Sequence, residues 1–582
     1  MSEISIRTGG AAGDGIASIG ETVSRSFSRM GLHVFGFSAY QSVIRGGHVW
    51  FQARGATERV YSQGDGCDLL YALNKESAEM HLPSLRAGGT LLYDPENFHI
   101  ENSELPLGTK ALALPSLEIA RKFTSSPILQ NAAGLGALSF LSGIPLEMVQ
   151  RTLSDSFGAK KGNVAEWNIN ASAEGYRYAE QHASASDYAV KPAGEPKLLM
   201  TGNQAIALGA AAGGCKFLSQ YPMTPATSIM HWMAAHSQQT GVVVKQAEDE
   251  LAAIHMAIGA SYAGVRAMTA TSGGGFALMV EALGMAGMTE VPVVVVDAQR
   301  AGPSTGLPTK TEQGDLNMML GAGQGEFPRA ILAPSSPLEA YRAMIKAFDL
   351  AESWQSPILV ASDFHLSESF ATVDRSEVNL NVELPSLFTV EPNGGEYLRY
   401  RHTESGVSPR AFPGQPGLNY VTGSDEHDER GHLISDIRAG TAMAVNERRA
   451  MMEKRMRKLH GLTRSSEGPH LEGPATAELT FVAWGSTVGA IRDAMRLMAQ
   501  RGHRTNLIFL PTVYPVHSDQ LLPMLSAAKR LLLVEANFSG QLGRLIRMES
   551  GFNFTHKFLK YDGEAITPSE VAHHAMEVIN VR

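Results

Sequence analysis

The chain has 582 residues, 44% of them hydrophobic and 18% charged, so it is globular in composition and long enough for three or four domains at roughly 150 residues each. Its 49 basic and 58 acidic residues give a net charge of −9 with no basic block, which disfavours a nucleic-acid binder. Two cysteines, Cys67 and Cys215, exclude a disulfide framework, a four-cysteine zinc site and a self-contained iron–sulfur cluster. The N-terminus lacks a basic n-region and an apolar h-region, and no apolar run approaches the roughly 20 residues of a membrane span. A soluble, cytoplasmic protein is expected. Glycine is abundant, 58 residues, which points to tight turns or close backbone approaches.

The first segment, 1–186, opens with a strand-like run at Ile4–Arg7. A loop with Gly9, Gly10, Gly13 and Gly15 follows, then a helical pattern over Ile16–Met30 and a second strand-like run over His33–Phe37. This is the start of a doubly wound sheet. The glycine loop could bring main-chain N–H groups to a phosphate, but its spacing is not that of a dinucleotide turn, and a plain tight turn explains it equally. Gly-Asp-Gly occurs at 13–15 and at 64–66, yet neither triplet closes with Asn-Asn some thirty residues on; Asn97 stands alone. Neither is read as a metal site. Residues 187–196 have the composition of a linker.

A second α/β unit is expected over 197–375, with strand-like runs at Leu198–Thr201, Val242–Lys245, Ala267–Thr271, Pro292–Ala298 and Pro357–Ser362. The continuous valines of Val293–Val296 mark a buried parallel strand. His255 falls on an apolar helical run and reads as a core or interface histidine. From 376 to 472 the periodicity dissolves, leaving a long connection over the surface with one basic helix near Asn446–His460. Alternation resumes over 473–582, with strands at Leu479–Trp484, Thr505–Leu510 and Arg530–Glu535.

Three segments carry candidate chemistry. Tyr221-Pro222-Met223-Thr224-Pro225-Ala226-Thr227-Ser228 presents hydroxyls on a backbone stiffened by two prolines, which suits a small anionic substrate; a Pro-rich turn would look the same. Glu248-Asp249-Glu250 starts an Ala/Gly-rich helix, where carboxylates also simply complement the helix dipole. Arg300 follows the most buried-looking strand and leads into a Gly/Pro-rich loop ending at Lys310, Glu312, Gln313 and Asp315. A guanidinium there suits bidentate carboxylate binding or salt-bridge scaffolding.

Together these segments resemble the α subunit of the 2-oxoacid:ferredoxin oxidoreductases, the pyruvate and 2-oxoglutarate synthases. Tyr221–Pro225 is similar to the family's Tyr-Pro-Ile-Thr-Pro signature, and Asp297–Thr309 to its substrate loop. The resemblance continues in Ser42-Val43-Ile44-Arg45-Gly46-Gly47-His48, which is like the γ domain, and in Val534-Glu535-Ala536-Asn537 and Lys560-Tyr561-Asp562-Gly563 near the C-terminus. It implies an α/β protein of three doubly wound domains: a γ domain, a thiamine pyrimidine-binding domain and a transketolase C-terminal-like domain.

The resemblance further implies thiamine diphosphate chemistry: a 2-oxoacid loses CO2, two electrons pass singly to iron–sulfur clusters and ferredoxin, and coenzyme A takes the acyl group. One glutamate holds N1′ of the aminopyrimidine. The family pattern sets it nine residues before a helix glycine, as Glu250 stands before Gly259, with Glu248 as the alternative. Tyr221, Thr224, Arg300 and Lys310 are assigned to substrate, and Pro222, Pro225, Ser272 and Gly273 to the cofactor beside Glu250. A β subunit is expected to hold the diphosphate, Mg2+ and a [4Fe–4S] cluster, in an (αβ)2 heterotetramer. The γ–α layout favours 2-oxoglutarate, giving succinyl-CoA, over pyruvate or branched and aryl 2-oxoacids. A nicotinamide-dependent dehydrogenase or a non-catalytic scaffold subunit are the readings from other classes.

Overall fold

The computed structural model describes residues 2–41, 46–158, 163–384, 387, 389–390, 396–434 and 442–580. The chain divides into two compact units, one of Met1–Thr201, Glu368–Val378 and Thr567–Glu570, the other of Gly202–Ser367, Asn379–Ile566 and Val571–Arg582.

The first unit holds a mixed eight-stranded sheet. Glu3–Ala11, Cys67–Ala72, Leu85–Tyr93 and Lys110–Ala113 run parallel, as the β–α–β pattern requires. On the other side of Glu3–Ala11 lies an antiparallel strand, His48–Ala56, which pairs in turn with His33–Ala39. It is buried almost throughout, Gln52 and Arg54 included, so it carries no clean apolar run. Leu198–Thr201, read in sequence as the opening strand of the second unit, pairs antiparallel with Phe370–Val373 at the edge of this first sheet. Helix Ile16–Arg29 begins after Gly15, whose φ of 80° favours glycine.

The second unit contains two sheets. The larger has seven strands in the order Thr512–Tyr514, Ala330–Leu332, Pro357–Asp363, Val293–Gln299, Ala267–Thr271, Phe217–Gln220 and Val243–Gln246. All neighbours are parallel except the first pair. Val293–Gln299 is central and wholly buried, as its run of valines requires. The smaller sheet has five strands and centres on Leu479–Ala483. One apolar core spans both, joining Val295, Phe276 and Leu316 to Trp484, Ile508 and Leu533. Among the described residues no helix is long and apolar enough to cross a membrane.

The connection expected on the surface is partly interior. Its helix, Ala442–Ser465, buries Lys454 and Lys458 against Glu290 at the end of helix Gly273–Thr289. Lys454 Nζ lies 2.6 Å from Glu290 Oε1, and all three side chains are 0% exposed. Arg399 donates to the Glu290 main-chain oxygen at 2.9 Å, and Arg410 pairs with Glu352 at 2.7 Å. Four basic residues of a connection expected on the surface are therefore internal struts.

Candidate active site

In open α/β sheets, ligands bind beyond the carboxyl ends of the strands. At that edge of the seven-stranded sheet, three neighbouring strands deliver the candidate residues. Phe217–Gln220 leads into the Tyr221–Pro225 loop, Ala267–Thr271 into helix Gly273–Thr289, and Val293–Gln299 into Arg300.

The Tyr221–Pro225 loop is held from below. Buried Asn203 donates to the Pro225 main-chain oxygen at 2.7 Å, and buried Gln220 donates to that of Ala226 at 2.9 Å. The Thr224–Pro225 peptide is cis. Arg300 Nη1 donates to the Thr224 main-chain oxygen at 2.8 Å, so two predicted substrate residues meet. Burial lowers the Arg300 pKa from its ordinary value, with the Asp315 charge acting the other way. Pro222 and Thr224 are half-buried, while Tyr221 is 37% exposed.

The structure separates the two candidate glutamates. Glu248 is exposed; Glu250 is buried at the first turn of helix Glu250–Tyr262, where Asp249 caps by accepting from the Ala252 amide at 2.7 Å. Glu250 Oε1 is buried with no hydrogen-bond partner among the described residues. Beside it lies the glycine run that opens helix Gly273–Thr289. A Cβ at Gly275 would come within 2.6 Å of Glu250 Oε1, closer than real Cβ contacts allow. Ser272 Oγ, at the start of the same helix, is also buried without a partner. Gly259, by contrast, is exposed on the outer side of its helix.

The loop after Arg300 is anchored on the smaller sheet. Gln313 exchanges hydrogen bonds with the Ala536 main chain at 2.7 and 3.0 Å and donates to the Trp484 main-chain oxygen at 2.9 Å. Asn537 donates to the Gln313 main-chain oxygen at 3.1 Å. Lys310 is ion-paired with Glu564, and the Thr311 amide donates to Gly563 at 3.1 Å. The C-terminal segments singled out in sequence thus grip the loop after Arg300. Two acidic residues of this region lie within the quoted segments but were assigned no role: Asp297, fully buried, and Asp315, whose carboxylate packs on Gly273.

In the first unit, Ser42–Arg45 of the γ-like motif lie outside the described residues. The motif's His48 has its Nε2 2.8 Å from His81 Nε2.

Two family models match the chain. One, described as "Pyruvate flavodoxin/ferredoxin oxidoreductase, thiamine diP-bdg", covers residues 208–445; the other, "Pyruvate ferredoxin/flavodoxin oxidoreductase", covers 5–178. The 2-oxoacid:ferredoxin oxidoreductase subunit alpha of a Sulfolobus species is 32% identical over 98% of this chain and 96% of its own length. The 2-oxoglutarate oxidoreductase subunit KorA of Mycobacterium tuberculosis is 30% identical over 94% and 87%. The structure of 2-oxoglutarate:ferredoxin oxidoreductase from Magnetococcus marinus, with 2-oxoglutarate, coenzyme A and succinyl-CoA bound, matches with TM-score 0.92 and 34% identity, covering 100% of both chains. The fold and site thus define an oxidoreductase with a thiamine diphosphate-binding domain. The chain belongs to the 2-oxoacid:ferredoxin oxidoreductases, as an α subunit that works with a partner subunit. This membership replaces the nicotinamide-dependent reading of the N-terminal glycine loop.

Proposed function

We propose that the chain is the α subunit of a 2-oxoglutarate:ferredoxin oxidoreductase, which converts 2-oxoglutarate and coenzyme A to succinyl-CoA and CO2 while reducing ferredoxin. The observation that carries this reading is the full-length likeness to the Magnetococcus marinus enzyme, whose structure holds that substrate and that product. The domain division proposed from sequence, 1–186, 197–375 and 473–582 with connections at 187–196 and 376–472, accompanies it.

The site residues fit the aminopyrimidine end of thiamine diphosphate. Glu250 offers a buried carboxylate oxygen without a partner among the described residues, Gly275 lacks the Cβ that would displace it, and Ser272 offers a buried hydroxyl. When bound, the cofactor supplies the carbanion needed at the 2-oxo carbon. In this proposal Glu250 holds N1′ of the ring, with Glu248 as the alternative, and Ser272, Gly273, Pro222 and Pro225 shape the pocket wall. Thr224 and Tyr221 face the 2-oxo acid head, and Arg300 takes its carboxylate, held in register by its bond to Thr224. Lys310 takes the second carboxylate by exchanging Glu564 for substrate. A β subunit holds the diphosphate, Mg2+ and a [4Fe–4S] cluster, and the assembly is an (αβ)2 heterotetramer in the cytoplasm.

The test is viologen or ferredoxin reduction by the complete enzyme with each 2-oxoacid and coenzyme A. 2-Oxoglutarate is expected to exceed pyruvate and branched 2-oxoacids in kcat/KM by about tenfold or more. The names of the two family models favour pyruvate as the second reading, and a preference for pyruvate would establish it.

A further inference from the structure

The Tyr221–Pro225 loop runs from strand Phe217–Gln220 toward helix Thr227–Ala235, and its two prolines, Pro222 and Pro225, carry no N–H. Such a segment has few donors for a main-chain ladder, so its register is set through its carbonyls. Three consecutive carbonyls are each taken by a side chain from a different element. The Thr224 oxygen accepts from Arg300 Nη1 at 2.8 Å, the Pro225 oxygen from Asn203 Nδ2 at 2.7 Å, and the Ala226 oxygen from Gln220 Nε2 at 2.9 Å. Arg300 follows strand Val293–Gln299, Asn203 stands in the first turn of helix Gly202–Ala212, and Gln220 ends the strand that leads into the loop.

Asn203 and Gln220 are both 0% exposed, so each acts on a substrate only through the loop. Asn203 Nδ2 also donates to Ser228 Oγ at 2.8 Å, and so spans the turn from the loop into the helix behind it. Gln220 is held in place by its own main chain, whose oxygen accepts the Ala247 amide at 3.0 Å. Because the Ala226 carbonyl can only accept, it fixes which end of the Gln220 amide faces it. Gln220 Oε1 is then left buried with no hydrogen-bond partner among the described residues. A buried amide with an unsatisfied oxygen costs stability, and an apolar side chain of the same size would avoid that cost. What the amide supplies in exchange is the bond to the loop, and local rules are broken in this way at functional sites.

We propose that Asn203 and Gln220 are positioning residues for the 2-oxoacid. With Arg300 they hold three successive carbonyls, and the loop so fixed presents Tyr221 and Thr224 to the substrate head, while Arg300 keeps its remaining N–H groups for the carboxylate. The proposal rests on the assignment of Thr224 and Arg300 to substrate. Once the two amides lose their donors, the bond from Arg300 to Thr224 no longer acts on a fixed loop, and substrate binding weakens before the fold does.

Steady-state kinetics of the complete enzyme with its partner subunit test this. Gln220→Met and Asn203→Leu keep the side-chain volume and remove the donor. Each is expected to raise KM for the 2-oxoacid about tenfold, with kcat within about threefold of the wild type. A merely structural residue would lower the folded fraction, and kcat with it, and leave KM as it was. Gln220→Glu gives a second readout, because a protonated carboxyl donates to the Ala226 oxygen and a carboxylate does not. Relative to the wild type at each pH, its KM should be raised at about pH 8 and return toward the wild-type value by about pH 5.5, while Gln220→Met stays raised throughout. A misfolded variant would not recover in this way. A wild-type KM in Gln220→Met or in Asn203→Leu overturns the role of that residue, and a Gln220→Glu profile parallel to that of Gln220→Met overturns the donor as its cause. Arg300→Ala, measured alongside, judges the underlying assignment separately. An unchanged KM there, with KM raised in the amide variants, removes Arg300 from the substrate and leaves the amides holding the loop for Thr224.

Discussion

The Arg300 guanidinium donates to the main-chain oxygen of Thr224 at 2.8 Å, tying the loop after strand Val293–Gln299 to the loop after strand Phe217–Gln220 across 76 residues of sequence. One N–H of the fork is spent on this tie, which fixes the orientation of the rest. Arg300→Ala should raise KM for the 2-oxoacid about a hundredfold with a smaller change in kcat, and Arg300→Lys, lacking the fork, about tenfold. Steady-state kinetics at saturating coenzyme A measures this, and an unchanged KM would leave Arg300 as scaffold.

Glu250→Gln keeps the volume and one hydrogen-bonding oxygen but removes the acid. Turnover of the complete enzyme should fall by about 10²–10⁴, while far-UV circular dichroism and subunit association stay as in the wild type. Near-normal turnover would move the role to exposed Glu248 or end the assignment.

Gly275→Ala tests the same carboxylate from the other side. The new Cβ would stand 2.1 Å from Thr271 Oγ1 and 2.6 Å from Glu250 Oε1, so both side chains must shift. A displacement of this size at a catalytic group costs about a hundredfold in rate. Turnover with thiamine diphosphate titrated to saturation separates this loss from weaker cofactor binding. Wild-type turnover would show that Glu250 tolerates displacement.

Glu290 serves two buried lysines, so the variants divide sharply. Glu290→Gln strands two ammonium groups and should destabilise the fold by about 3–5 kcal/mol. Lys458→Met leaves the Lys454–Glu290 pair intact and should be neutral or stabilising. Burial lowers Lys458 to about 7, with Glu290 opposing. Its charged form therefore costs stability below about pH 7, and the cost fades as pH rises toward the free-lysine value. Melting temperature should rise between pH 6 and 9 more steeply in the wild type than in Lys458→Met; parallel curves would place the titration elsewhere.

What the sequence disclosed follows signal strength. Val293–Gln299 was plain because a fully buried parallel strand must be continuously apolar. The Tyr221 and Arg300 loops stood out through proline, glycine and cation placed at strand ends. Strand His48–Ala56 was missed because Gln52 and Arg54 are buried polar residues bonded to Arg7 and Glu3, not an exposed face. Asp297 and Asp315 drew no role because nothing local in sequence distinguishes a buried Asp from a surface one. The role of Lys454 and Lys458 was hidden because their counter-charge, Glu290, lies 164 and 168 residues away.

That separation has a consequence for how the chain comes into being. Glu290 leaves the ribosome long before the lysines that neutralise it. Until helix Ala442–Ser465 is made, the end of helix Gly273–Thr289 carries a carboxylate with no interior place to sit. The site-bearing layer therefore closes late in synthesis, and a chain stopped near residue 375, though it contains Glu250 and Arg300, would remain open at that helix.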